Sequence, residues 1–505
     1  MRPYLPRSAA GVAAVAAAAV LVTAGIAVPA GALTPNPSPT SNLLAGVSAV
    51  SGSNAWAVGS YNDATTGASK TLVLHWNGTA WSKVKSPSPS SLFSELDGVS
   101  ARSGSDAWAV GRYWNVTARV WDSLVLHWNG TAWSKVKSPN PGSSFSQLYG
   151  VSAVSGSDAW AVGSYDTSDG GVTKTLVLHW DGTAWSKVKS PNPSSVSYNS
   201  LDGVSARSGS DAWAVGDYGT SDGGRSGTLI LHWDGTAWTK VNSPSPGSGL
   251  NGLTGVSAVS GGDAWAVGNS SSYDNPYVID TLILHWDGTA WTKVSSPSPS
   301  SVSYNYLKAV SARSGSDAWA VGYYNATEIG PINTLIVHWN GTAWTKVKSP
   351  NPSCPDDINS YNDLYGVSAR TGSDAWAVGD YGDCATNLFK RATLVAHWNG
   401  TAWINASAIT TSTSVTSSAN PVTTGTPVTY TARVTPTPTP DGGTVAFYDN
   451  GSRISSCSAK AVSSGRATCT VTYASAGSHT IKAHYSGYAD YARSTSPSLT
   501  ETIKA

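Results

Sequence analysis

A block of about 52 residues recurs seven times along this chain, and each copy carries three tryptophans. The third copy reads VSAVSGSDAWAVGSYDTSDGGVTKTLVLHWDGTAWSKVKSPNPSS, from Val151 to Ser195. A repeat of this length indicates one supersecondary unit stacked against copies of itself. Since 21 of the 23 tryptophans occupy these three recurring positions, the tryptophan content belongs to the architecture.

The tryptophans of the repeat fall into three sets. The AWAVG set is Trp56, Trp108, Trp160, Trp213, Trp265, Trp319 and Trp376; the HW set is Trp76, Trp128, Trp180, Trp233, Trp286, Trp339 and Trp398; the GTAW set is Trp81, Trp133, Trp185, Trp238, Trp291, Trp344 and Trp403. Only Trp114 and Trp121 lie outside these sets. The first and last copies keep all three positions, so neither is adapted as a polar end cap. This favours a closed ring of repeats over an open solenoid.

Each copy reads as four short β-strands. In the third copy these are GVSAV, AWAVGSY, TLVLHW and AWSKVK, named strands a to d below. An Asn-Gly or Asp-Gly pair between strands c and d predicts a two-residue hairpin turn, and the Pro-rich segment SPNPSS ends strand d. Four antiparallel strands repeated around an axis form propeller blades. We therefore predict an all-β fold, with a seven-bladed β-propeller over residues 44–407.

The N-terminal residues have the features of a secretory signal. Arg2 and Arg7 precede an Ala/Val-rich run, and the AGA at 30–32 provides a small-residue cleavage site. We therefore predict a signal peptide at 1–32 and a secreted, extracellular protein. Without these two arginines, 29 of the 31 basic side chains remain against 30 acidic ones, which provides no electrostatic basis for nucleic-acid binding. No further segment is apolar for long enough to predict a membrane span.

A short tail, predicted at residues 33–43, joins the signal to the propeller. Its PNPS motif at 35–38 repeats the PNPS that follows strand d at 191–194. The seventh copy lacks this motif after Trp403. We therefore expect the tail to lie beside the last blade and to supply the missing end of its strand d.

The chain changes character after residue 407. It becomes rich in Thr and Ser and contains no further tryptophan. Segments such as PVTYTARVTP and GTVAFYDNG alternate polar and apolar residues between Gly and Asn turns, which is typical of a small β-sandwich. We predict this second domain at residues 408–505.

Four cysteines in an exported protein predict two disulfides. Cys354 lies in the d–a connection before the seventh blade and Cys384 in the b–c loop of that blade, so both leave the propeller at one face and are expected to pair. Cys457 and Cys469 flank a turn in the second domain and are expected to tie adjacent strands.

Two resemblances follow from these motifs. The segment from Thr411 to Ile503, with GTVAFYDNG and HTIKAHYSG, is similar to the bacterial Ig-like domains of group 3, which implies an Ig-like β-sandwich. The AWAVG…LHWNGTAW repeat resembles kelch-like and sialidase-like propellers of secreted proteins from high-GC Gram-positive bacteria. That resemblance implies a fold and export but no single activity, because the kelch double glycine and the sialidase Asp-box are both absent.

The loops of the repeat differ in how variable they are. The a–b and c–d turns are nearly uniform, whereas the b–c loops and d–a connections vary and leave the blades at one face, where rigid scaffolds carry recognition. Aromatic residues that the repeat does not require are candidate ligand contacts there, since such rings suit sugars; loop packing is the alternative. They are Trp114, Trp121, Tyr198, Tyr277, Tyr304, Tyr306, Tyr361 and Phe389.

Four arginines end strand a where three other copies have valine: Arg102, Arg207, Arg313 and Arg370. They form either an anion-attracting rim of the channel or salt bridges across the turn, as between Arg102 and Asp106. The latter is favoured. The aspartate of SGSD is expected to cap its own turn through a side-chain hydrogen bond.

Metal and cofactor sites are not predicted. The histidine of HW recurs in every copy, but strand c lies away from the axis, so histidines of different blades are too far apart to share a metal. Their expected role is structural. Asp166 with Asp169, and Asp222, lack a full set of calcium ligands.

The sequence favours a secreted, non-catalytic binding or adhesion protein. Its propeller loop face would bind an extracellular polymer, a glycan or a cell-surface protein, with the Ig-like domain as a spacer or accessory adhesin and the chain as a monomer. One alternative is an extracellular glycan-active hydrolase or lyase that uses the same face. Another is a structural matrix component. The sequence alone leaves the ligand and the presence of catalysis open.

Overall fold

The computed structural model describes residues 41–505 except for 168–170, 222–223, 329, 354–359, 384–389, 408–410, 439–441 and 489–490. The predicted signal at 1–32 and most of the predicted tail therefore lie outside the described residues. So does the predicted Cys354–Cys384 pair. Within the described part, 28 strands form seven four-stranded antiparallel sheets, and a second group of strands forms the C-terminal domain.

The seven sheets follow one another along the chain. Blade one comprises β1 (Asn42–Ser51), β2 (Asn54–Asn62), β3 (Ser69–Trp76) and β4 (Trp81–Lys83). Blade two comprises β5 (Ser94–Ser103), β6 (Asp106–Asn115), β7 (Val120–Trp128) and β8 (Trp133–Val136). Blade three comprises β9 (Ser146–Ser155), β10 (Asp158–Asp166), β11 (Thr173–Trp180) and β12 (Trp185–Val188). Blade four comprises β13 (Asn199–Ser208), β14 (Asp211–Gly219), β15 (Ser226–Trp233) and β16 (Trp238–Val241). Blade five comprises β17 (Asn251–Ser260), β18 (Asp263–Ser271), β19 (Ile279–Trp286) and β20 (Trp291–Val294). Blade six comprises β21 (Asn305–Ser314), β22 (Asp317–Asn325), β23 (Ile332–Trp339) and β24 (Trp344–Val347). Blade seven comprises β25 (Asn362–Thr371), β26 (Asp374–Asp383), β27 (Lys390–Trp398) and β28 (Trp403–Asn405).

The sheets form a closed ring with strand a innermost. In every blade the strand order is a-b-c-d. Strand β1 contacts β5 of blade two and β25 of blade seven, and each other strand a contacts its two counterparts in the same way. The predicted seven-bladed propeller is confirmed. Its first strand begins at Asn42, two residues before the predicted boundary at residue 44.

Tryptophan packing joins each blade to the next. Trp56 is 1% exposed, and its ring centroid lies 4.9 Å from that of Trp128 and 5.2 Å from that of Trp133, both in blade two. At the seam, Trp376 of blade seven packs against Trp76 and Trp81 of blade one at 5.0 and 5.1 Å. Burying such large rings at every interface contributes strongly to the hydrophobic stabilisation of the ring.

The prediction of a two-residue turn between strands c and d is wrong. In blade one, Trp76 pairs with Trp81, so the loop has four residues, and among them only Gly78 has a positive φ, of 96°. The Asn77 side-chain oxygen accepts hydrogen bonds from the N–H groups of Thr79 and Ala80, each 2.9 Å long. This side-chain bonding, which Asp also provides, explains why the first turn residue is Asn or Asp.

Strand a carries a bulge that positions the site described below. In blade one the register shifts between Leu44 and Gly46, which leaves Ala45 as an extra residue, and every blade repeats this shift. The glycine of AWAVG makes room for it. A Cβ on Gly59 would lie only 2.0 Å from the carbonyl oxygen of Leu43, so this close approach of two strands requires glycine.

The C-terminal domain is a β-sandwich. Its elements are β29 (Ser412–Ser417), β30 (Val422–Thr423), β31 (Pro427–Thr435), β32 (Thr444–Asp449), β33 (Ser452–Arg453), a 3-10 helix (Ser455–Cys457), β34 (Lys460–Ala461), β35 (Arg466–Thr472), β36 (Gly477–Tyr485), β37 (Ser494–Thr495) and β38 (Leu499–Lys504). One sheet has the order β29-β31-β35 and the other β30-β38-β36-β32-β33, with β34 on β32 and β37 on β36. Tyr430, Phe447 and Ile481 lie in the shared core. The predicted disulfide Cys457–Cys469 is present.

Among the described residues, no helix has the length and apolar character needed to cross a bilayer.

Candidate functional site at the channel mouth

The two faces of the propeller are built from different loops. On one face the a–b and c–d turns meet. In blade one, for example, a Cβ atom added to Gly78 of the c–d turn would lie 2.8 Å from the Cβ atom of Ser53 in the a–b turn. On the other face, the ends of strands b and c and the loops between them meet the d–a connections. In blade two the Trp114 N–H donates to Phe93 O at 3.0 Å, and in blade six the Asn325 N–H donates to Tyr304 O at 3.0 Å. We call the second one the variable-loop face.

The predicted placement of Trp114 and Trp121 in a loop is wrong. They lie in β6 and β7 and form a cross-strand pair, because these strands extend further than in blades one and three to six and leave only residues 116–119 as the loop. Their ring centroids are 5.4 Å apart. Trp121 also packs edge-on against Phe93 at 5.0 Å, with the Arg112 guanidinium 4.8 Å from its ring. Both tryptophans are half-buried.

The structure gathers some of the predicted tyrosines and separates others. Tyr306 lies in β21 rather than in a loop, 5.8 Å from Tyr304 and 5.2 Å from Tyr323 between ring centroids. Tyr323 in turn lies 6.4 Å from Tyr365. The other predicted aromatics are Tyr198 and Tyr361, which directly precede β13 and β25, Tyr277, which is 82% exposed in the b–c loop of blade five, and Phe389, which lies outside the described residues.

Three positions of the blade vary where the residues around them are nearly constant. They are the second and fourth residues of strand a and the residue of strand b that follows AWAVG. The second residues are Leu43, Glu95, Gln147, Ser200, Gly252, Tyr306 and Asp363; the fourth are Ala45, Asp97, Tyr149, Asp202, Thr254, Lys308 and Tyr365; the strand-b residues are Ser60, Arg112, Ser164, Asp217, Asn269, Tyr323 and Asp380. We call this set the channel mouth. Only Tyr306 among them was a candidate from the sequence.

The channel mouth faces the ring axis at the variable-loop end. Strand a enters from the d–a connection, so its first residues lie at that end. The charge of Asp202 in blade four acts on Asp97 in blade two, and that of Lys308 in blade six acts on Asp202. Because these blades are not neighbours, such interactions run across the axis. Adjacent blades are linked directly, since Arg112 donates to Glu95 at 2.5 Å and to Gln147 at 2.7 Å.

The electrostatics of the channel mouth are dominated by carboxyl groups. It contains six, Glu95, Asp97, Asp202, Asp217, Asp363 and Asp380, against the cations Arg112 and Lys308, with Arg391 of β27 beside them. Burial raises the pKa of Asp97, and it raises the pKa of Asp202 and of Asp363 to about 7. Burial also lowers the pKa of Lys308, against the opposing effect of Asp202 and Asp363.

Some of these groups satisfy one another and others do not. Tyr198 donates to Asp217 at 2.7 Å, and Arg391 donates to the fully buried Asp380 at 2.7 Å. Within the described part of the chain, Asp97 Oδ2, Asp363 Oδ1 and Asp380 Oδ1 are buried without a hydrogen-bond partner. A buried acceptor without a donor costs about 1–3 kcal/mol, which agrees with the raised pKa of these three carboxyl groups.

Exposed apolar side chains surround the channel mouth. Eight large apolar side chains are exposed among the described residues, and all except Ile404 lie on the variable-loop face. These seven are Leu92, Val116, Val196, Leu250, Tyr273, Tyr277 and Val302. Their confinement to one face distinguishes them from the scattered exposed apolar residues that are usual on proteins. This face therefore combines a polar centre with an apolar rim.

The four arginines of strand a lie at the opposite face. Arg102 donates to Asp106 at 2.8 Å, and Arg207, Arg313 and Arg370 make the corresponding bonds to Asp211, Asp317 and Asp374. The salt bridge offered as the alternative to an anion rim is thus present in all four blades.

The SGSD aspartate does not cap its turn as predicted. The hydrogen bond within the turn runs from Ser105 N–H to Ser103 Oγ at 3.2 Å, while Asp106 binds Arg102 and lies 2.9 Å from His127 Nε2. Because strands b and c pair side by side, the aspartate reaches the histidine of HW more readily than its own turn. This pairing accounts for the recurring histidine as a structural residue.

No group of three or more His, Cys, Asp or Glu side chains in the described ranges is arranged to hold a metal ion. Asp166, a weak calcium candidate, instead accepts hydrogen bonds from Ser144 and Phe145 and fastens the d–a connection. Asp169 and Asp222 lie outside the described residues.

The fold and the repeat define this chain as a seven-bladed β-propeller joined to an Ig-like domain. Residues 415–504 match the family model of the bacterial Ig-like domain of group 3, so the C-terminal domain is of that type. No curated protein matches the chain.

Several solved structures are similar to this chain. The β-propeller domain of the trilobed protease from Pyrococcus furiosus is 10% identical, with 72% of this chain and 97% of that chain covered and a TM-score of 0.43. A polysaccharide lyase, the PL25 ulvan lyase bound to -[GlcA(1-4)Rha3S]-, is 9% identical, with 73% and 96% covered and a TM-score of 0.45. The acylaminoacyl peptidase of Pyrococcus horikoshii is 9% identical, with a TM-score of 0.43; the alignment covers 77% of this chain and 57% of the peptidase. At these identities, none of the three activities is transferred to this chain.

Proposed function

We propose that this protein is a secreted binding protein that holds a carbohydrate at the channel mouth. The observation that carries the proposal is that carboxyl groups and tyrosine rings converge at the channel mouth, at the three positions where otherwise uniform blades differ. Carboxylates accept hydrogen bonds from sugar hydroxyl or ammonium groups. The location supports recognition as well, since the blades differ from one another chiefly at this mouth and in the loops around it.

The charge of the mouth narrows the class of sugar. Six carboxyl groups and three cations line it, counting Arg391. Even with Asp97, Asp202 and Asp363 protonated near neutral pH, the mouth has no excess of positive charge to attract an acidic polysaccharide. A neutral or amine-bearing sugar does not require such an excess. The tyrosines Tyr306, Tyr323 and Tyr365 offer rings to the apolar face of such a sugar and hydroxyl groups to its rim.

The remaining parts fit an extracellular role. The signal predicted at 1–32 supports export, and the Ig-like domain would act as a spacer or accessory adhesin. The apolar rim formed by residues such as Val196 and Tyr277 would widen the contact with a polymer or surface.

A second candidate is a glycan-active hydrolase at the same mouth. Asp202 and Asp363 have pKa values raised to about 7 by burial, and a carboxyl group protonated near neutral pH is suited to act as a general acid. Reducing-end release from the oligosaccharides bound in the experiment below would favour this candidate, and bound but intact oligosaccharides would favour binding alone.

The test uses the full chain on an array of neutral, amine-bearing and acidic glycans. The variant Asp97→Asn with Asp363→Asn should bind the retained neutral or amine-bearing glycan at least about tenfold more weakly, a loss of about 1.4 kcal/mol. The matched control is Asp158→Asn on the opposite face, where blade one already has Asn54. Unchanged binding by the double variant, or retention of acidic glycans alone, would refute the proposal.

A further inference from the structure

The three-stranded sheet of the Ig-like domain has an outer face of one chemical character. Its strands β29, β31 and β35 alternate residue by residue between the core and this face. The inward residues include Tyr430, Ala432 and Cys469, which are buried. Except for Pro427 at one end, every outward residue of these three strands is Ser, Thr or Arg. We call this surface the hydroxyl face.

Two arginines lie directly opposite each other on the hydroxyl face. Arg433 of β31 pairs with Arg466 of β35, and Ser414 of β29 pairs with Arg433 on its other side. Both arginines are exposed in the full chain. Residues directly opposite each other in antiparallel strands have Cβ atoms about 4.5–5.5 Å apart, and like charges in that position are destabilising. The sheet therefore holds two positive charges together against its own stability.

The described part of the domain provides no carboxylate that neutralises this pair. Residues 408–505 contain seven Lys or Arg and four Asp or Glu. Two of these acidic residues lie outside the described residues, and the other two, Asp449 and Glu501, belong to the other sheet. Asp449 lies 2.8 Å from His479 Nδ1, and Glu501 is fully buried. Among the residues that the structure describes, neither guanidinium therefore has an ion-pair partner.

Rows of threonine continue the hydroxyl face beside the arginine pair. The adjacent row consists of Thr416, Thr431 and Thr468, which pair with one another across the three strands. In the row after it, the hydroxyl groups of Thr429 and Thr470 lie 2.9 Å apart and share a hydrogen bond. Successive rows on one face of a strand are about 7 Å apart. Since each hydroxyl both donates and accepts, these rows suit the hydroxyl groups of a sugar chain.

The composition of the hydroxyl face selects among anionic partners. Guanidinium groups bind carboxylates and similar oxyanions in bidentate geometry. Single-stranded nucleic acids bind largely by stacking their bases on aromatic side chains, and the three strands direct no aromatic ring to this face. Binding at a lipid surface relies on exposed Trp, Phe or Leu side chains as well as on charge, and these are absent from the same outward positions. An acidic polysaccharide is the anionic polymer that remains.

We propose that the hydroxyl face of the Ig-like domain binds an acidic polysaccharide. Arg433 and Arg466 together hold one of its anionic groups, and the threonine rows contact the hydroxyl groups of the neighbouring sugars. An anion between the two guanidinium groups offsets the repulsion that the free sheet contains. This site is separate from the channel mouth and goes beyond the function proposed for it, because it selects sugars of the opposite charge.

The test is calorimetric titration of the full chain with polygalacturonate, dextran sulfate and neutral dextran. Physiological ionic strength is used, because it screens weak long-range attraction. At least one acidic polymer should bind, and Arg433→Gln with Arg466→Gln should weaken that binding at least about tenfold. The matched control is Lys482→Gln with Lys504→Gln, which removes two exposed charges from the outer face of the other sheet and should preserve the affinity. Neutral dextran should not bind to the hydroxyl face.

Thermal unfolding distinguishes binding from a structural role of the arginine pair. The arginine variant should unfold its Ig-like domain at an equal or higher temperature, because it lacks the repulsion; a lower temperature would overturn the inference. So would failure of both acidic polymers to bind, equal weakening by the two double variants, or tighter binding of a DNA duplex than of either polymer. The proposed function fails or stands separately, since its test uses neutral or amine-bearing glycans and residues of the propeller.

Discussion

The backbone N–H of Ala49 in blade one donates to Oγ of Ser368 in blade seven at 3.0 Å, across 319 residues of sequence. The same bond, also 3.0 Å long, joins strand a of each other blade to its predecessor: Ala101 to Ser48, Ala153 to Ser100, Ala206 to Ser152, Ala258 to Ser205, Ala312 to Ser257 and Ala369 to Ser311. Each blade takes its four strands from one continuous segment, so no strand is exchanged. The ring closes by packing, by these bonds and by the contacts of Ser41 and Asn42 with Arg391 of blade seven.

The first prediction concerns this seam. Ser368→Ala should lower the free energy of unfolding by about 1 kcal/mol, the usual contribution of one hydrogen bond. Ser205→Ala, which removes the same bond inside the ring, should have the same effect. Denaturant unfolding of the full chain measures both. A clearly smaller loss for Ser368→Ala would mean that the seam is weaker in solution than the other interfaces.

The second prediction separates buried from partly exposed tryptophans. Trp160 is 1% exposed and packs on Trp233 and Trp238 of the next blade. Trp160→Ala should therefore cost about 3–5 kcal/mol of stability. Trp114→Ala should cost less, because that ring is half-buried and lies beyond the blade interfaces. Equal losses in denaturant unfolding would contradict the assignment of the inter-blade core.

The third prediction concerns pH. Burial raises the pKa of Asp202 and Asp363 from 3.8 to about 7, so the folded protein retains protons that the unfolded chain has released. Stability should therefore fall as the pH rises from the ordinary carboxyl value to about 7. Asp217 and Lys308 act on Asp202 with opposite signs, but the effect of burial is larger.

Asp202→Asn with Asp363→Asn should flatten this decline in melting temperature between about pH 5 and about pH 8. Asp234→Asn is the control, because hydrogen bonds hold the pKa of Asp234 at about 2 and it stays ionised throughout. Four other blades already have Asn at that position. If melting temperature falls with pH as steeply in the double variant as in the unmodified protein, neither carboxyl group has a raised pKa.

The fourth prediction concerns the Ig-like domain. Cys457 and Cys469 close a short loop, with 12 residues of sequence separation. Replacing both by Ala should destabilise this domain by about 2–4 kcal/mol and leave the propeller transition in place. Calorimetry should show one transition shifted. Added reductant should not shift that transition further in the double variant; a further shift would assign the effect to other cysteines.

The blades could be predicted from the sequence because their signals are local. Each of the three tryptophan sets falls at a fixed place in a 52-residue block, and neighbouring residues alternate between faces of one strand. The details of strand ends were harder. Trp114 and Trp121 were expected in a loop because the repeat predicts a loop there, yet they pair across β6 and β7 as their rings pack with Phe93.

The site could be predicted only in part. The sequence identified the variable-loop face and Tyr306, but not Glu95, Asp202 or Lys308, although all three depart from an otherwise uniform repeat. Variation at the second and fourth residues of strand a was the available signal. The loops vary in both length and sequence, which marks the face but not the positions within strands that form the mouth.

The sequence by itself determined the four-stranded blade, the number of blades and the Ig-like domain, since hydrophobic alternation, turn residues and repetition act over short distances. Only the tertiary structure decided which side chains meet. Asp97, Asp202 and Lys308 are about a hundred residues apart in turn, and no local pattern relates them. They face one another because the bulge in each strand a and the closure of the ring direct the same position of every blade to one axis.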